Sequence, residues 1–277
     1  MGEFRERVAV VTGAASGIGF ALAQALGERD AHVVMSDIDP STLDAAGAAL
    51  KARGLDVRCV TADVSDQGSI DALADAAGAV GPIEIACFNA GVSCTGATVW
   101  ETDDATLDFV LGINLWGVVH SARAFIPRMI QHGRPGHVVI TASMAGLVTS
   151  PTSGAYAASK AAAVAMAKAM RAELATSAPQ LHVTLLNPGM VKTNLMRTSA
   201  NRQPSTGAMT EEIVEMSHGA LNSMGVDPVE AARWTLDTME SGRFWAFPPH
   251  GDLFVNALRA ELAELDMATN PNADGAQ

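Results

Sequence analysis

Short apolar runs alternate along this chain with Ala-rich stretches of helical composition. Six such runs are rich in β-branched residues: "VAVVTGA", "HVVMSD", "VRCVTADV", "IEIACFNAG", "HVVITAS" and "HVTLLNPG". Apolar strands that alternate with helices form parallel βαβ units whose sheet is covered on both faces. Right-handed crossovers wind these units into one doubly wound sheet, which binds its ligands at the carboxyl ends of the strands.

With a last strand at "RFWAFPP", the pattern predicts an α/β fold, a doubly wound (Rossmann) parallel sheet of about seven strands with helices on both faces. The chain has 277 residues, of which 48% are hydrophobic, so one large core is expected. We predict a single domain over residues 1–266 and a flexible tail over 267–277. Residues 190–225 interrupt the alternation, and we interpret them as an inserted loop with a short helix that acts as a substrate lid.

Charge and composition narrow the range of partners. The formal net charge is −12, which argues against binding to nucleic acid or an anionic membrane and favours a small-molecule ligand. No apolar run approaches the roughly 18 residues of a membrane span, so we expect a cytoplasmic protein. The three cysteines lack CxxC spacing and the histidines are scattered, so we expect reduced core thiols and no required metal.

The segment "TGAASGIG" lies where the first strand turns into the first helix. Its glycines let the backbone approach a pyrophosphate, towards which the helix beginning near Gly17 points free N–H groups. The spacing departs from GxGxxG, and a Gly-rich turn alone fits a tight turn equally well. Asp37, which ends the second strand 18 residues beyond Gly19, favours dinucleotide binding.

Asp37 also bears on the choice between NAD and NADP. Its carboxylate can accept hydrogen bonds from an adenosine ribose, whereas it would repel the 2′-phosphate of NADP. No Lys or Arg occupies positions 14 to 16 or 38, where a basic group could neutralise that phosphate. We therefore predict NAD rather than NADP; the alternative for Asp37 is a solvated acid at a strand end.

Five motifs, "TGAASGIG", "ADV", "NAG", "YAASK" and "NPGMVKT", follow one another in an order and spacing that resemble the classical short-chain dehydrogenase/reductase family. The resemblance covers residues 7 to about 195 and implies hydride transfer between a nicotinamide cofactor and an alcohol or ketone. Asp63 and Asn89 could instead be a plain strand-end acid and a plain turn residue. The cofactor-binding residues that the resemblance implies are Gly13, Ser16, Gly17, Ile18, Gly19, Asp37, Asp63, Val64, Asn89, Ala90, Gly91, Tyr156, Lys160, Pro188, Gly189, Val191 and Thr193.

Tyr156 is the only tyrosine of the chain and precedes Lys160 by four positions. Residues so spaced share a helix face and can point at one site, although a solvent-facing pair would satisfy the spacing too. At about 4 Å and an effective dielectric near 20, an ammonium favours phenolate by roughly 4 kcal/mol, or about 3 pK units; desolvation opposes this. Tyr156 could then act as a general base in oxidation or as a general acid in reduction.

The resemblance assigns roles to two further polar residues. Ser143 would hydrogen-bond the substrate oxygen, and Asn114 would hold a water that links Lys160 to solvent. The alternatives are a turn or cap for Ser143 and, for Asn114, a structural amide that ties its helix to a neighbouring strand.

The substrate pocket is the least determined feature of the sequence. Met190 and Met196 are the predicted substrate-binding residues beside Ser143 and Tyr156. Together with four more methionine and aromatic positions, they indicate either an apolar, adaptable pocket or simple core packing. The residues that leave this choice open are Met190, Met196, Met209, Met224, Trp100 and Phe247.

The sequence therefore predicts an NAD-dependent oxidoreductase that interconverts a secondary alcohol with hydrophobic or aromatic flanks and the matching ketone. The alternative is a non-catalytic NAD-binding regulatory or scaffold protein, which would need no Asn114, Ser143, Tyr156 and Lys160 relay. Family members commonly pair through the helix "YAASKAAAVAMAKAMRAELA", so a homodimer or homotetramer is implied, with a monomer as the alternative.

Overall fold

The computed structural model describes residues 4–204, 209–248 and 252–269 of the chain. Its single sheet has the order β3-β2-β1-β4-β5-β6-β7, and every neighbouring pair is parallel. The strands are β1 (Val8–Thr12), β2 (His32–Asp37), β3 (Val57–Thr61), β4 (Ile83–Phe88), β5 (Gly136–Thr141), β6 (Leu181–Leu186) and β7 (Trp245–Ala246). The predicted doubly wound α/β fold is confirmed, and each strand lies within or next to its predicted run.

Helices cover both faces of the sheet. They are α1 (Gly17–Gly27), α2 (Pro40–Ala52), α3 (Gln67–Gly78), α4 (Asp104–Leu111), α5 (Gly117–His132), α6 (Gly154–Ser177), α7 (Leu195–Ala200), α8 (Glu211–Met224), α9 (Pro228–Glu240) and α10 (Asp252–Thr269). A π-helical turn, Gly112–Trp116, joins α4 to α5, and a 3₁₀ turn, Met144–Gly146, follows β5. The chain leaves β1 and β4 in opposite directions, which opens a crevice at their carboxyl ends, where such folds bind ligands.

The core divides into two apolar layers, one on each face of the sheet. Helices α1, α2 and α9 pack on one face, where Leu22, Met35 and Ile85 are fully buried. Helices α3, α5 and α6 pack on the other face together with α7 and α8, and Phe125 of α5 lies there against Phe88 of β4. Met196 of α7 and Val214 of α8 belong to this second layer, so these two helices and the sheet share one core.

The segment 190–225 differs from its prediction, because it contains two helices rather than a loop with one short helix. Helix α8 has 14 residues and begins where Thr210 accepts a hydrogen bond from the backbone N–H of Ile213 at 3.4 Å. Acidic Glu211 and Glu212 follow in the first turn, where they favour a helix start. The polar residues that suggested a loop form the outer surface of an amphipathic helix.

Two further expectations need revision. Met267–Thr269, predicted to lie in the flexible tail, belong to α10, and 270–277 lie outside the described residues. The helical stretch Asp104–His132 is long and apolar enough to cross a membrane, although the sequence was expected to hold no such run. In 18 residues of that stretch the mean hydropathy is 1.4, and 44% of them are buried inside the fold; buried core helices pass the same test.

Phe125→Ala tests the packing of the second layer. The ring is fully buried, so its removal leaves a cavity and should lower the free energy of unfolding by about 3–5 kcal/mol. Ile130→Ala on the outer side of the same helix should cost less than about 1 kcal/mol, because that residue is 38% exposed. Urea titration measures both, and equal losses would contradict the assignment of Phe125 to the core.

Candidate active site

The Gly-rich loop packs so closely that two of its positions exclude a side chain. Gly13 has φ +65°, and a Cβ there would lie 2.8 Å from the Cα of Ala90. A Cβ on Gly19 would lie 2.0 Å from the carbonyl oxygen of Gly13. Helix α1 begins at Gly17, after an extended Ser16 whose side chain makes no capping hydrogen bond, so free backbone N–H groups of the first turn face the crevice. Ile18 in that turn packs partly buried against the first apolar layer.

Asp37 lies against this loop. One carboxylate oxygen accepts from the backbone N–H of Ala15 at 3.2 Å, and the other accepts from that of Ile38 at 2.8 Å. The structure thus places the predicted ribose-binding acid at the carboxyl end of β2, beside the loop predicted to hold the pyrophosphate.

Asp63 and Val64 follow β3. Asp63 accepts hydrogen bonds from the backbone N–H and the hydroxyl of Ser65, at 2.9 and 2.7 Å, and so organises its own turn. The carbonyl of buried Val64 lies 2.9 Å from Nδ1 of His120, which fixes this turn against α5. That Asp63 and Val64 bind the cofactor remains a prediction.

Asn89 joins the ends of three strands. Its amide nitrogen donates to the carbonyl of Thr12 at 3.0 Å, and its amide oxygen accepts from the hydroxyl of Thr141 at 3.0 Å. The Thr12 hydroxyl in turn accepts from the backbone N–H groups of Asn89 and Ala90, at 3.0 and 3.1 Å. Asn89 is therefore more than a plain turn residue, because its side chain ties β1, β4 and β5 together.

The segment after β6 spans the distance between the predicted catalytic and cofactor residues. The carbonyl of Pro188 accepts from the backbone N–H of Met144 at 2.9 Å, next to Ser143. Gly189 and Met190 follow, and Val191 forms a parallel bridge with Val226. Thr193 lies against Gly17, where an added Cβ would be 3.0 Å from Cγ2 of Thr193.

Tyr156 and Lys160 lie one turn apart on α6. Lys160 is buried, and its Nζ donates to the carbonyl of Thr141 at 3.1 Å while lying 6.0 Å from the centroid of the Tyr156 ring. Burial lowers the pKa of Lys160 to about 8. Burial likewise raises the pKa of Tyr156, and a hydrogen bond with the Ser143 side chain opposes that shift.

Two opposing effects act on the Tyr156 phenol. From the sequence, an ammonium at about 4 Å favours phenolate and desolvation opposes it. In the structure desolvation dominates, so without a bound cofactor the phenol holds its proton more tightly than a free tyrosine does.

Ser143 has its alternative role as a cap, and its bond to a substrate oxygen remains a prediction. Its hydroxyl accepts from the backbone N–H of Ala145 at 3.1 Å, as a cap of the short turn, and donates to the carbonyl of Pro188 at 3.5 Å. The same side chain also hydrogen-bonds Tyr156, so the serine lies at the phenol.

Asn114 lies in the π-helical turn, and its side chain is 1% exposed. Its amide oxygen accepts from the backbone N–H of Val92 at 2.9 Å, and its amide nitrogen donates to the carbonyl of Val92 at 2.8 Å and to the hydroxyl of Ser159 at 2.9 Å. These bonds are those of a structural amide; the water-holding role remains a prediction. A Cβ on Gly91 would lie 3.0 Å from the Asn114 oxygen and 3.1 Å from Lys160 Nζ, so glycine lets this loop approach both groups.

Sequence reasoning missed several residues that support the site. Three of them hydrogen-bond the predicted site residues: Thr12 and Thr141 bond the Asn89 side chain, and Ser159 accepts from Asn114. A fourth, Cys94, lies beside Tyr156, and its thiol accepts from the backbone N–H of that residue. Burial raises the pKa of the Cys94 thiol. Thr12 is part of the quoted glycine motif and could have been found there. The other contacts depend on backbone groups or on residues distant in sequence, which leave no local signal.

The methionine and aromatic positions do not form one pocket. Met196 and Met209 are buried in the apolar layer that partly buried Tyr156 joins, whereas Met224 and Trp100 are 63% and 84% exposed. Phe247 stacks on Trp245 with ring centroids 5.6 Å apart. A cavity of about 550 Å³ borders Trp100, but its α6 residues, among them Ala158 and Ala161, do not share the helix face of Tyr156 and Lys160.

Within the described part of the chain, no three His, Cys, Asp or Glu side chains are grouped closely enough to hold a metal ion. Tyr156, Ser143 and Lys160 can donate, accept or hold a proton at the same edge of the sheet where the Gly-rich loop and Asp37 end.

Comparisons with known proteins agree with this geometry. The short chain dehydrogenase family model matches residues 7–204. The 1-deoxy-11-beta-hydroxypentalenate dehydrogenase of Streptomyces avermitilis is 42% identical over 79% of this chain and 81% of its own length. A C alpha-dehydrogenase of a Sphingobium species is 30% identical over 90% of this chain and 82% of its own length. The crystal structure of a short chain dehydrogenase/reductase from Burkholderia phymatum in complex with NAD superimposes with TM-score 0.90, 29% identity and 97% coverage of both chains. The chain belongs to the short chain dehydrogenase family.

Proposed function

We propose that this protein is an NAD-dependent oxidoreductase that interconverts a secondary alcohol and the matching ketone, with Tyr156 as the general acid or base. The observation that supports this most directly is the contact of the Tyr156 phenol with Ser143, next to a desolvated Lys160. A protein that only bound the cofactor would need no such proton-handling group.

The residues present fit a dinucleotide. Glycine at positions 13 and 19 lets the loop pack against Ala90 and against itself, and the first turn of α1 has N–H groups free to bind a pyrophosphate. Gly17, Asp37 and Pro188–Thr193 would hold the cofactor along the crevice. When bound, NAD supplies the hydride acceptor, or in its reduced form the hydride donor.

In the oxidation direction, Tyr156 Oη takes the hydroxyl proton of the alcohol, and the Ser143 hydroxyl orients the substrate oxygen. Tyr156 accepts this proton as a phenolate and becomes a neutral phenol; the Lys160 ammonium, which the carbonyl of Thr141 holds in place, stabilises that phenolate before the transfer. In reduction, Tyr156 donates its proton to the ketone oxygen. Its raised pKa keeps the phenol protonated for this step. Asn114 fixes Val92 and Ser159 around this pair.

The preference for NAD rests on Asp37. Its carboxylate is held against the loop by the Ala15 N–H, where it would meet a 2′-phosphate with like charge. The Burkholderia phymatum relative was crystallised with NAD, which supports the same choice for this chain.

The substrate is proposed to be a small molecule with hydrophobic or aromatic flanks. Met196, Met209 and Val214 from the lid segment are buried in the same apolar layer as Tyr156. Arg197 is turned outward and paired with Glu215 at 2.8 Å, so it offers the substrate no free cation. The Streptomyces avermitilis relative is named for a hydroxypentalenate substrate, which is consistent with a largely apolar alcohol.

We also propose a cytoplasmic homodimer or homotetramer. Helix α6 exposes Ala158, Ala161, Ala165 and Ala169, a flat surface of small residues that permits close helix packing. Trp116 at the start of the neighbouring helix is 47% exposed. Light scattering on the purified chain gives the copy number, and a monomer would contradict the proposal.

Tyr156→Phe tests the function itself. Loss of the hydroxyl should lower kcat for secondary alcohols by about 10²–10⁴-fold, because the proton acceptor is gone. The NAD dissociation constant, measured by fluorescence, serves as the control and should stay nearly unchanged. A panel of aryl, alicyclic and steroid alcohols is followed by NADH absorbance. Binding of NAD without turnover of any alcohol or ketone would favour a non-catalytic NAD-binding protein.

The pH dependence of ketone reduction follows from Lys160. Below a pH of about 8 its ammonium is present and stabilises the phenolate left when Tyr156 donates its proton; above that pH the charge is lost. Tyr156 remains protonated over this interval because its own pKa is raised. We therefore expect kcat/KM for the ketone at saturating NADH to fall as pH rises from 7 to about 9.5. A rate that rises through this interval would contradict the assignment.

Asp37→Ala tests the cofactor preference. Removing the carboxylate should raise kcat/KM with NADP by at least about tenfold, because a like charge near the 2′-phosphate is removed. Asp39→Ala is the matched control: this acid caps α2 two residues later, so its loss should reduce stability and leave the NAD to NADP ratio unchanged. Equal use of NADP by the unaltered protein would overturn the role given to Asp37.

A further inference from the structure

Ser199 connects the lid segment to the catalytic body through a buried hydrogen bond. Its side chain lies on α7 and is 0% exposed, and its Oγ accepts from the backbone N–H of Ser93 at 2.8 Å. The two residues are 106 positions apart in the sequence. Loss of the acceptor would leave a buried amide without this partner, which is costly.

The loop that Ser199 contacts forms one wall of the candidate active site. Its first residue, Gly91, lies against Asn114 and Lys160. Val92 has both its backbone N–H and its carbonyl bound by the Asn114 side chain. After Ser93 comes Cys94, whose thiol accepts from the backbone N–H of Tyr156. Four consecutive residues thus contact Asn114, Lys160, the lid and Tyr156.

The other contacts of α7 show what this bond holds in place. Met196, one turn before Ser199, is buried in the apolar layer that Tyr156 joins. On the outer side, Arg197 pairs with Glu215 of α8, which couples the two lid helices. Gln203 just after α7 donates to the hydroxyl of Thr106 in α4 at 3.1 Å and supplies a second attachment.

We propose that Ser199 is a positioning residue whose hydroxyl latches helix α7 (Leu195–Ala200) of the lid onto the Gly91–Cys94 loop and so sets the closed form of the substrate site. Opening this bond frees α7 and removes Met196 from the Tyr156 side of the apolar layer, so that substrate can enter. Closing it returns α7 to the wall that carries Cys94 and Tyr156. The identity of the substrate that enters the site rests on the proposed alcohol and ketone function. The hydrogen bond between Ser199 and Ser93 does not depend on that function.

Ser199→Ala tests the latch, because it removes the acceptor with little change in side-chain size. Thr198→Ala is the matched control: Thr198 is exposed, and its hydroxyl bonds carbonyls of its own helix region, Asn194 at 2.9 Å and Leu195 at 3.2 Å. For Ser199→Ala alone, we expect deuterium exchange over Gly91–Cys94 and protease cleavage within 190–225 to rise about 5- to 50-fold in the free protein. KM for the alcohol should rise by a similar factor without a fall in kcat, and the pH profile should keep its shape, since Ser199 does not touch the reacting atoms.

Unchanged exchange and proteolysis in Ser199→Ala would overturn the proposal, as would equal effects of the two variants. A fall in kcat at constant KM would also overturn it, because Ser199 would then act on the chemical step. Thermal unfolding checks that both variants fold; if Ser199→Ala does not, Ser199→Cys, with a weaker acceptor of similar size, should give the same changes at smaller amplitude. If the unaltered protein turns over no alcohol, the proposed function fails, and exchange and proteolysis still decide on the latch.

Discussion

The side-chain amide of Asn89 holds the carboxyl edge of the sheet together. It binds the carbonyl of Thr12 at the start of the glycine loop and the hydroxyl of Thr141 at the end of β5. Thr141 then offers its carbonyl to Lys160. The glycine loop and Lys160 are thus positioned through one shared group. The side chain of Asn89 thus adds hydrogen bonds that join β1, β4 and β5 at this edge to the backbone bonds of the sheet.

Burial away from water has the largest effect on the pKa values of Tyr156 and Lys160. The same burial lowers the pKa of Lys160 and raises that of Tyr156, so each group is pushed towards its neutral form. Ser143 acts against this on the phenol. Lys160, with a pKa of about 8, lies close to its titration near neutral pH, whereas Tyr156 stays protonated. Asn114 and Gly91 let the surrounding backbone approach the lysine closely.

The segment 190–225 is held by the same apolar core that stabilises the sheet. Met196, Met209 and Val214 belong to the apolar layer beneath the sheet, so the lid is held by the packing that also holds α6. Methionine is unbranched and adapts its shape, which suits a surface that must pack both with and without a ligand. Polar contacts at Ser199 and Gln203 then fix where the lid rests.

Much of this architecture could be predicted from the sequence, because strand and helix periodicity, the Asp39 cap and the glycine loop are local signals. The spacing of Tyr156 and Lys160 likewise placed them on one helix face, and the motif order indicated the family. The sequence could not show that Asn114 binds Val92, that Ser199 meets Ser93, or that Trp100 and Met224 face outward, because these facts depend on residues far apart in the chain. Nor could it show that desolvation outweighs the nearby ammonium at the Tyr156 phenol in the protein without cofactor, since the pKa of a group depends on how deeply the completed fold removes it from water, and burial is decided only when the layers have packed.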